Sequence, residues 1–126
     1  MTNSLVDDNL LARNDGMAPI AKLSELEIGQ PKRVLIGGQA VVLVVLATQN
    51  SELEVCAYSA LCPHALGDLS QGWVEGNEVE CPLHFYRFNI RTGDCVYPRD
   101  GPHLRLYPVK IEGNVVLISL QKPRWM

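Results

Sequence analysis

Apolar residues along this chain come in short runs, each closed by Gly, Pro, Asn or Asp, and the spacing favours strands over helices. The segments Lys32–Gly37 (KRVLIG) and Ala40–Ala47 (AVVLVVLA) flank Gly38-Gln39, which predicts a hairpin. A third strand is expected over Leu53–Tyr58, where the alternation is imperfect. Gly67, Gly72 and Gly76 then fall close together, so Ser59–Asn77 reads mostly as loop. Strands resume at Glu78–Cys81 and Phe85–Ile90, with Thr92-Gly93-Asp94 as the turn that follows. Leu104–Ile111 and Val115–Leu120 form a closing hairpin through Glu112-Gly113-Asn114. Ser24-Glu25-Leu26 has room for one short turn. Residues 1–18 are polar and aperiodic and end at Gly16 and Pro19, which predicts a loose N-terminal extension. The expected organisation is one all-β domain over 19–120 with a short tail at 121–126.

Composition narrows the function classes. At 126 residues, 47% of them apolar, the chain has material for one hydrophobic core. Eleven Lys and Arg against 14 Asp and Glu give a net charge of −3, which lacks the basic excess of a nucleic-acid binder. The longest apolar run, Ala40–Ala47, is far shorter than the ~18 residues of a membrane-spanning helix. The first residues carry Asp7, Asp8, Arg13 and Asp15 with no sustained apolar stretch, so no export signal is expected. The thiols are then expected in the reducing cytoplasm, where metal ligation is a better use of four cysteines than disulfides.

Two short segments concentrate the chemistry. Leu61-Cys62-Pro63-His64 and Cys81-Pro82-Leu83-His84 each offer one thiolate and one imidazole, with sixteen residues between His64 and Cys81. Together Cys62, His64, Cys81 and His84 make a Cys₂His₂ set. A proline after each cysteine stiffens the backbone and removes an amide donor there. Zinc accepts Cys₂His₂, but structural zinc sites tend to pair like ligands within a segment, and here each segment mixes them. The mixed order suits a binuclear centre in which one iron takes two thiolates and the other two imidazoles. Cys56 and Cys95 read as packing residues and His103 as an exposed loop histidine. No Ser-His-Asp set, phosphate-binding glycine loop or flavin fingerprint is present, so the chain reads as a carrier rather than a catalyst.

These residues resemble the Rieske [2Fe–2S] proteins. The match rests on Cys62-x-His64 and Cys81-x-x-His84, on the continuation Phe88-Asn89-Ile90-Arg91-Thr92-Gly93, and on Leu69-Ser70-Gln71-Gly72 and Leu106–Lys110. The resemblance implies stacked antiparallel sheets with one [2Fe–2S] cluster held by two loops at one tip. It implies that Cys62 and Cys81 hold the inner iron, and that His64 and His84 hold the outer iron toward solvent. Respiratory-complex members of this family carry an extra cysteine in each loop, joined as a disulfide, where this chain has Gly67 and Leu83. They also carry serine and tyrosine hydroxyls where this chain has Tyr86 and Phe88. Fewer hydrogen bonds to the cluster lower its potential. The resemblance therefore points to a low-potential, soluble, monomeric ferredoxin that passes single electrons from a flavin-dependent reductase to a terminal oxygenase of a hydroxylating system.

Two alternatives stand beside it. Phe85-Tyr86 occupies a place where many oxygenase ferredoxins carry Gly, which keeps the small Rieske subunit of an assimilatory nitrite reductase in play, with its large subunit as partner. A zinc-stabilised interaction module is the other. Charge is also unevenly distributed: Ser51–Cys81 holds six acidic residues and no Lys or Arg, and Pro82–Lys110 holds five basic residues against Asp94 and Asp100. This predicts a two-sign docking rim, with Leu66, Leu83, Phe85 and Tyr86 as a contact core or a shield.

Overall fold

The computed structural model describes residues 16–50, 52–64, 67–83 and 85–120. Its strands are β1 (Met17–Lys22), β2 (Lys32–Ile36), β3 (Gln39–Ala47), β4 (Leu53–Ser59), β5 (Trp73–Glu75), β6 (Glu78–Glu80), β7 (Arg87–Asn89), β8 (Cys95–Tyr97), β9 (Leu106–Tyr107), β10 (Val109–Glu112) and β11 (Val115–Ser119). Among the described residues the helical elements are two single 3₁₀ turns, Leu23–Glu25 and Leu69–Gln71. The strands form three antiparallel sheets, ordered β1-β11-β10, β2-β3-β4-β9 and β5-β6-β7-β8. The all-β expectation holds.

β3 explains how the layers meet. Its run is apolar at nearly every position because both of its faces are covered. Val42, Val44 and Leu46 point into a core shared with Cys56 and Tyr58 of β4, with Val79 and Phe88 of the third sheet, and with Ile90 just after β7. Val41 and Leu43 point the other way, toward Ile20, Val116 and Ile118 of the first sheet. Cys62 and Cys81 belong to the first of these two cores, so the floor of the Cys/His loops is continuous with the packed interior.

Local chemistry sets the boundaries. The β2–β3 turn is Gly37-Gly38, since Ile36 pairs with Gln39. Both glycines have positive φ, 56° and 77°, as a two-residue hairpin of matching twist requires. The expected turn at Gly38-Gln39 is thus displaced by one residue. The expected N-terminal extension over 1–18 overlaps β1 by Met17 and Ala18, which pair with Ser119 and Ile118. Pro19 is compatible with this strand because β1 lies at a sheet edge, and the register shifts between Pro19 and Ala21. Residues 1–15 and the expected tail at 121–126 lie outside the described residues.

Leu104–Ile111 is not one strand. Pro108 has no amide hydrogen to continue a ladder. Leu106–Tyr107 before it pairs with β4, whereas Val109–Glu112 after it pairs with β11, so the chain changes sheets at the proline. Ser59–Asn77, expected mostly as loop, contains the strand β5, which pairs with β6 through the Gly76-Asn77 turn.

Candidate metal centre

The first Cys/His loop connects β4 to the 3₁₀ turn at Leu69–Gln71. Its neck is closed by an isolated bridge between Leu61 and Asp68, and the Leu69 amide donates to the Ala60 carbonyl at 2.7 Å. Inside that neck the Cys62 amide donates to the Gly67 carbonyl at 2.8 Å. Asp68 caps the 3₁₀ turn by accepting from the Ser70 amide at 2.9 Å. The second loop joins β6 to β7 and closes in the same manner, with the Cys81 amide donating to the Tyr86 carbonyl at 2.7 Å. Both cysteines are therefore fixed by their own backbones at the mouths of short, proline-stiffened loops. Phe85 turns the second loop with a positive φ of 58°.

Cys62, His64 and Cys81 come together, their ligand atoms all lying within 4.8 Å of one another. Cys62 is 2% exposed, Cys81 is fully buried, and His64 is half-buried. The thiols thus sit on the core side and the imidazole on the solvent side, with His64 Nδ1 at 3.1 Å from Cys62 Sγ. His84 lies outside the described residues.

The surroundings fit a thiolate-bound inorganic group. The Leu83 amide donates to Cys81 Sγ at 3.4 Å, a contact that favours negative charge on sulfur. Burial pushes the Cys81 thiol up to about 11; that donor pulls against the shift and neighbouring Cys62 adds to it. A bound cation that replaces the proton removes this penalty. Space is also reserved: a β-carbon on Gly67 would lie 2.9 Å from Cys81 Sγ, so a side chain there would press on the sulfur.

On and next to the two loops several large apolar side chains are exposed. Trp73 and Phe85 stack at 6.4 Å between ring centroids, each 56% exposed. Leu61 and Leu83 are exposed beside Cys62 and Cys81. Tyr86, expected in a contact core or as a shield, lies flat on the His64 ring, with centroids 3.7 Å apart and planes 10° apart, an arrangement that agrees with the second expectation. Sequence reading missed this stack because nothing in the chain's spacing indicates which face of the second loop a side chain takes. Leu66 lies outside the described residues.

The two-sign docking rim is not separated in space. In the β6–β7 ladder Glu80 faces Arg87, and Arg87 lies 3.5 Å from Glu80, 3.6 Å from Glu78 and 3.8 Å from Glu75. Arg91 pairs with Glu54 and donates to Asn77. The acidic and basic stretches are neighbours across strands, so much of the basic charge is spent on local pairing. Of the other singled-out residues, Cys56 is buried in β4 and Cys95 packs against the core from β8. His103 is exposed, with Nδ1 2.9 Å from the Leu104 carbonyl.

Comparison with known proteins matches residues 16–108 to the Rieske [2Fe-2S] domain. The ferredoxin component of the naphthalene 1,2-dioxygenase system of Pseudomonas aeruginosa is 43% identical over 75 residues, covering 60% of this chain and 72% of the relative. Among solved structures, the ferredoxin of carbazole 1,9a-dioxygenase from Nocardioides aromaticivorans IC177 superposes with a TM-score of 0.73 at 31% identity, over 83% of this chain and 98% of that one. A chain assigned as an NADH-dependent nitrite reductase small subunit from Mycobacterium tuberculosis superposes with a TM-score of 0.68 at 19% identity, over 81% of this chain and 92% of that one, a likeness of fold.

Proposed function

Because the chain belongs to the Rieske [2Fe–2S] domain family, we propose that Cys62, His64, Cys81 and His84 hold its cluster and that the protein is a one-electron carrier serving an oxygenase. The family's cofactor is the [2Fe–2S] cluster, which displaces the zinc reading. The observation that carries the proposal is the mixed grouping of two buried cysteines and a half-buried histidine at the meeting of two loops. When bound, the cluster supplies a reversible one-electron couple. The chain's residues do the rest. Cys62 and Cys81 would hold one iron from the core side, and the amides that tie both loops fix their positions. His64, which stands on the solvent side, and His84 would hold the other iron.

The partners follow from the relatives. Their names are those of ferredoxin components of dioxygenase systems, which supports a terminal oxygenase as acceptor; a flavin-dependent reductase is the donor we propose. The exposed Leu61, Trp73, Leu83 and Phe85 supply an apolar contact around the histidine edge. The likeness to nitrite reductase small subunits lies in the fold, at 23% and 19% identity, and brings no shared partner with it. The carrier is read as a monomer of the reducing cytoplasm, and no helix among the described residues is long and apolar enough to cross a membrane.

Reconstituted turnover tests this. The iron-loaded protein, supplied with a nicotinamide-dependent flavin reductase and a naphthalene-type ring-hydroxylating oxygenase, is expected to support product formation that stops when it is omitted. A protein that takes electrons from the reductase and delivers none to the oxygenase, yet supports nitrite reduction with a nitrite reductase large subunit, contradicts the assignment.

A further inference from the structure

We propose that Tyr86 is a positioning residue for the cluster: its ring clasps His64, joins the two loops without a covalent link, and holds the midpoint potential down by keeping water off one imidazole face. The inference rests on the reading of His64 as a ligand.

The geometry builds from the interior outward. Phe88 in β7 is fully buried, and its ring lies 6.4 Å from that of Tyr86 at an angle of 36°. Tyr86 packs against the same core from the partly buried level. Its ring meets that of His64 at 3.7 Å, nearly parallel. Three rings therefore run from the core to the half-exposed ligand, and the middle one belongs to the opposite loop. The Tyr86 carbonyl at the same time accepts from the Cys81 amide at 2.7 Å. One residue thus fixes Cys81 through its backbone and His64 through its side chain. Phe85 takes the positive φ that turns the loop and stacks on Trp73, leaving Tyr86 on the imidazole.

The consequence for the potential follows from charge. With two thiolates and two neutral imidazoles the oxidised centre is neutral and the reduced one carries a single negative charge. Water near a ligand stabilises the charged, reduced form more than the neutral one. A ring lying over His64 withholds that water and favours the oxidised form. The phenol hydroxyl has no part in this, so Phe should serve as well as Tyr.

The experiment compares iron-loaded wild type with Tyr86→Phe, Tyr86→Leu and Tyr86→Gly, reading the midpoint potential by redox titration and the histidine nitrogen couplings of the reduced centre by pulsed EPR. Tyr86→Phe is expected to match wild type in both. Tyr86→Gly is expected to raise the potential, change the nitrogen coupling of one ligand histidine as its ring turns, and speed cluster loss. Tyr86→Leu, which keeps an apolar contact on Phe88 without a flat ring, is expected to shift both in the same direction by less. If Tyr86→Gly holds no cluster, Tyr86→Leu read against Tyr86→Phe decides by the same two signals. Wild-type potential and wild-type couplings in Tyr86→Leu overturn the proposal while leaving the ligand assignment in place. A wild-type protein showing no histidine nitrogen coupling overturns the ligand assignment and this proposal with it.

Discussion

Gly67 of the first loop lies against Leu83 of the second, so that a β-carbon at position 67 would stand 3.2 Å from Leu83 Cδ1. These are the two positions at which respiratory-complex members of the family carry their cross-linking cysteines. Here the same junction is filled by a leucine side chain packed on a bare backbone. The loops are held by packing and hydrogen bonds instead of a bond between them.

Gly67 is therefore intolerant of a side chain. Its β-carbon would also be 2.9 Å from Cys81 Sγ, and neither the buried sulfur nor the closed loop has room to retreat. Gly67→Ala is expected to cost about 1–3 kcal/mol, the usual range for overpacking. Iron content after purification and the thermal midpoint should both fall, whereas Gly113→Ala, with nothing within 4 Å but a positive φ of 60°, should lower the thermal midpoint without lowering iron content.

The rim makes a prediction that separates docking from redox tuning. Trp73 and Phe85 are both exposed and stack on each other. Trp73→Ala should slow electron delivery to the oxygenase and, since Trp73 stacks on Phe85 while it is Tyr86 that stacks on His64, leave the midpoint potential unchanged. Stopped-flow reoxidation by the oxygenase, set beside redox titration, checks both halves.

The arginines differ in what they hold. Arg91 is 25% exposed and joins Glu54 of β4 to Asn77 beside β6, so Arg91→Ala should cost about 1–3 kcal/mol as charged hydrogen bonds are lost. Arg87 is 39% exposed, among three carboxylates at 3.5–3.8 Å, and Arg87→Ala should cost about 0–1 kcal/mol. Urea denaturation of the iron-loaded variants measures both.

Tyr58 gives an alkaline signature. Its side chain is fully buried and its hydroxyl has no hydrogen-bond partner among the described residues. Burial, reinforced by nearby Cys56, raises its pKa well above the usual tyrosine range. A phenol whose folded pKa is raised contributes full stability below its unfolded pKa of about 10 and loses it as pH rises from there toward the folded value. Tyr58→Phe removes both the unpaired hydroxyl and this titration. It should be neutral or stabilising by about 1 kcal/mol at neutral pH and should unfold less readily above about pH 10, as followed by circular dichroism.

The sequence disclosed the chemistry better than the layout. Cys62, His64 and Cys81 were legible because mixed thiolate and imidazole pairs after short strands have few other uses, and the structure brings them together. β3 was legible because burial on both faces leaves a continuous apolar run. The three-residue strands Trp73–Glu75 and Cys95–Tyr97 were not, since they are too short to show alternation and owe their form to neighbours in the ladder. The charge separation along the chain also misled, because strand pairing set Glu80 opposite Arg87. Tyr86 was visible as a bulky departure, but its place on His64 depends on a loop turn that no local spacing announces.

The most direct test of the central claim is pulsed EPR on the dithionite-reduced, iron-loaded protein labelled with ¹⁵N-histidine. Strong coupling to two histidine nitrogens, with His64→Ala and His84→Ala each abolishing that signal, is the predicted result. A [2Fe–2S] signal without histidine coupling, or a colourless protein containing zinc, would contradict it.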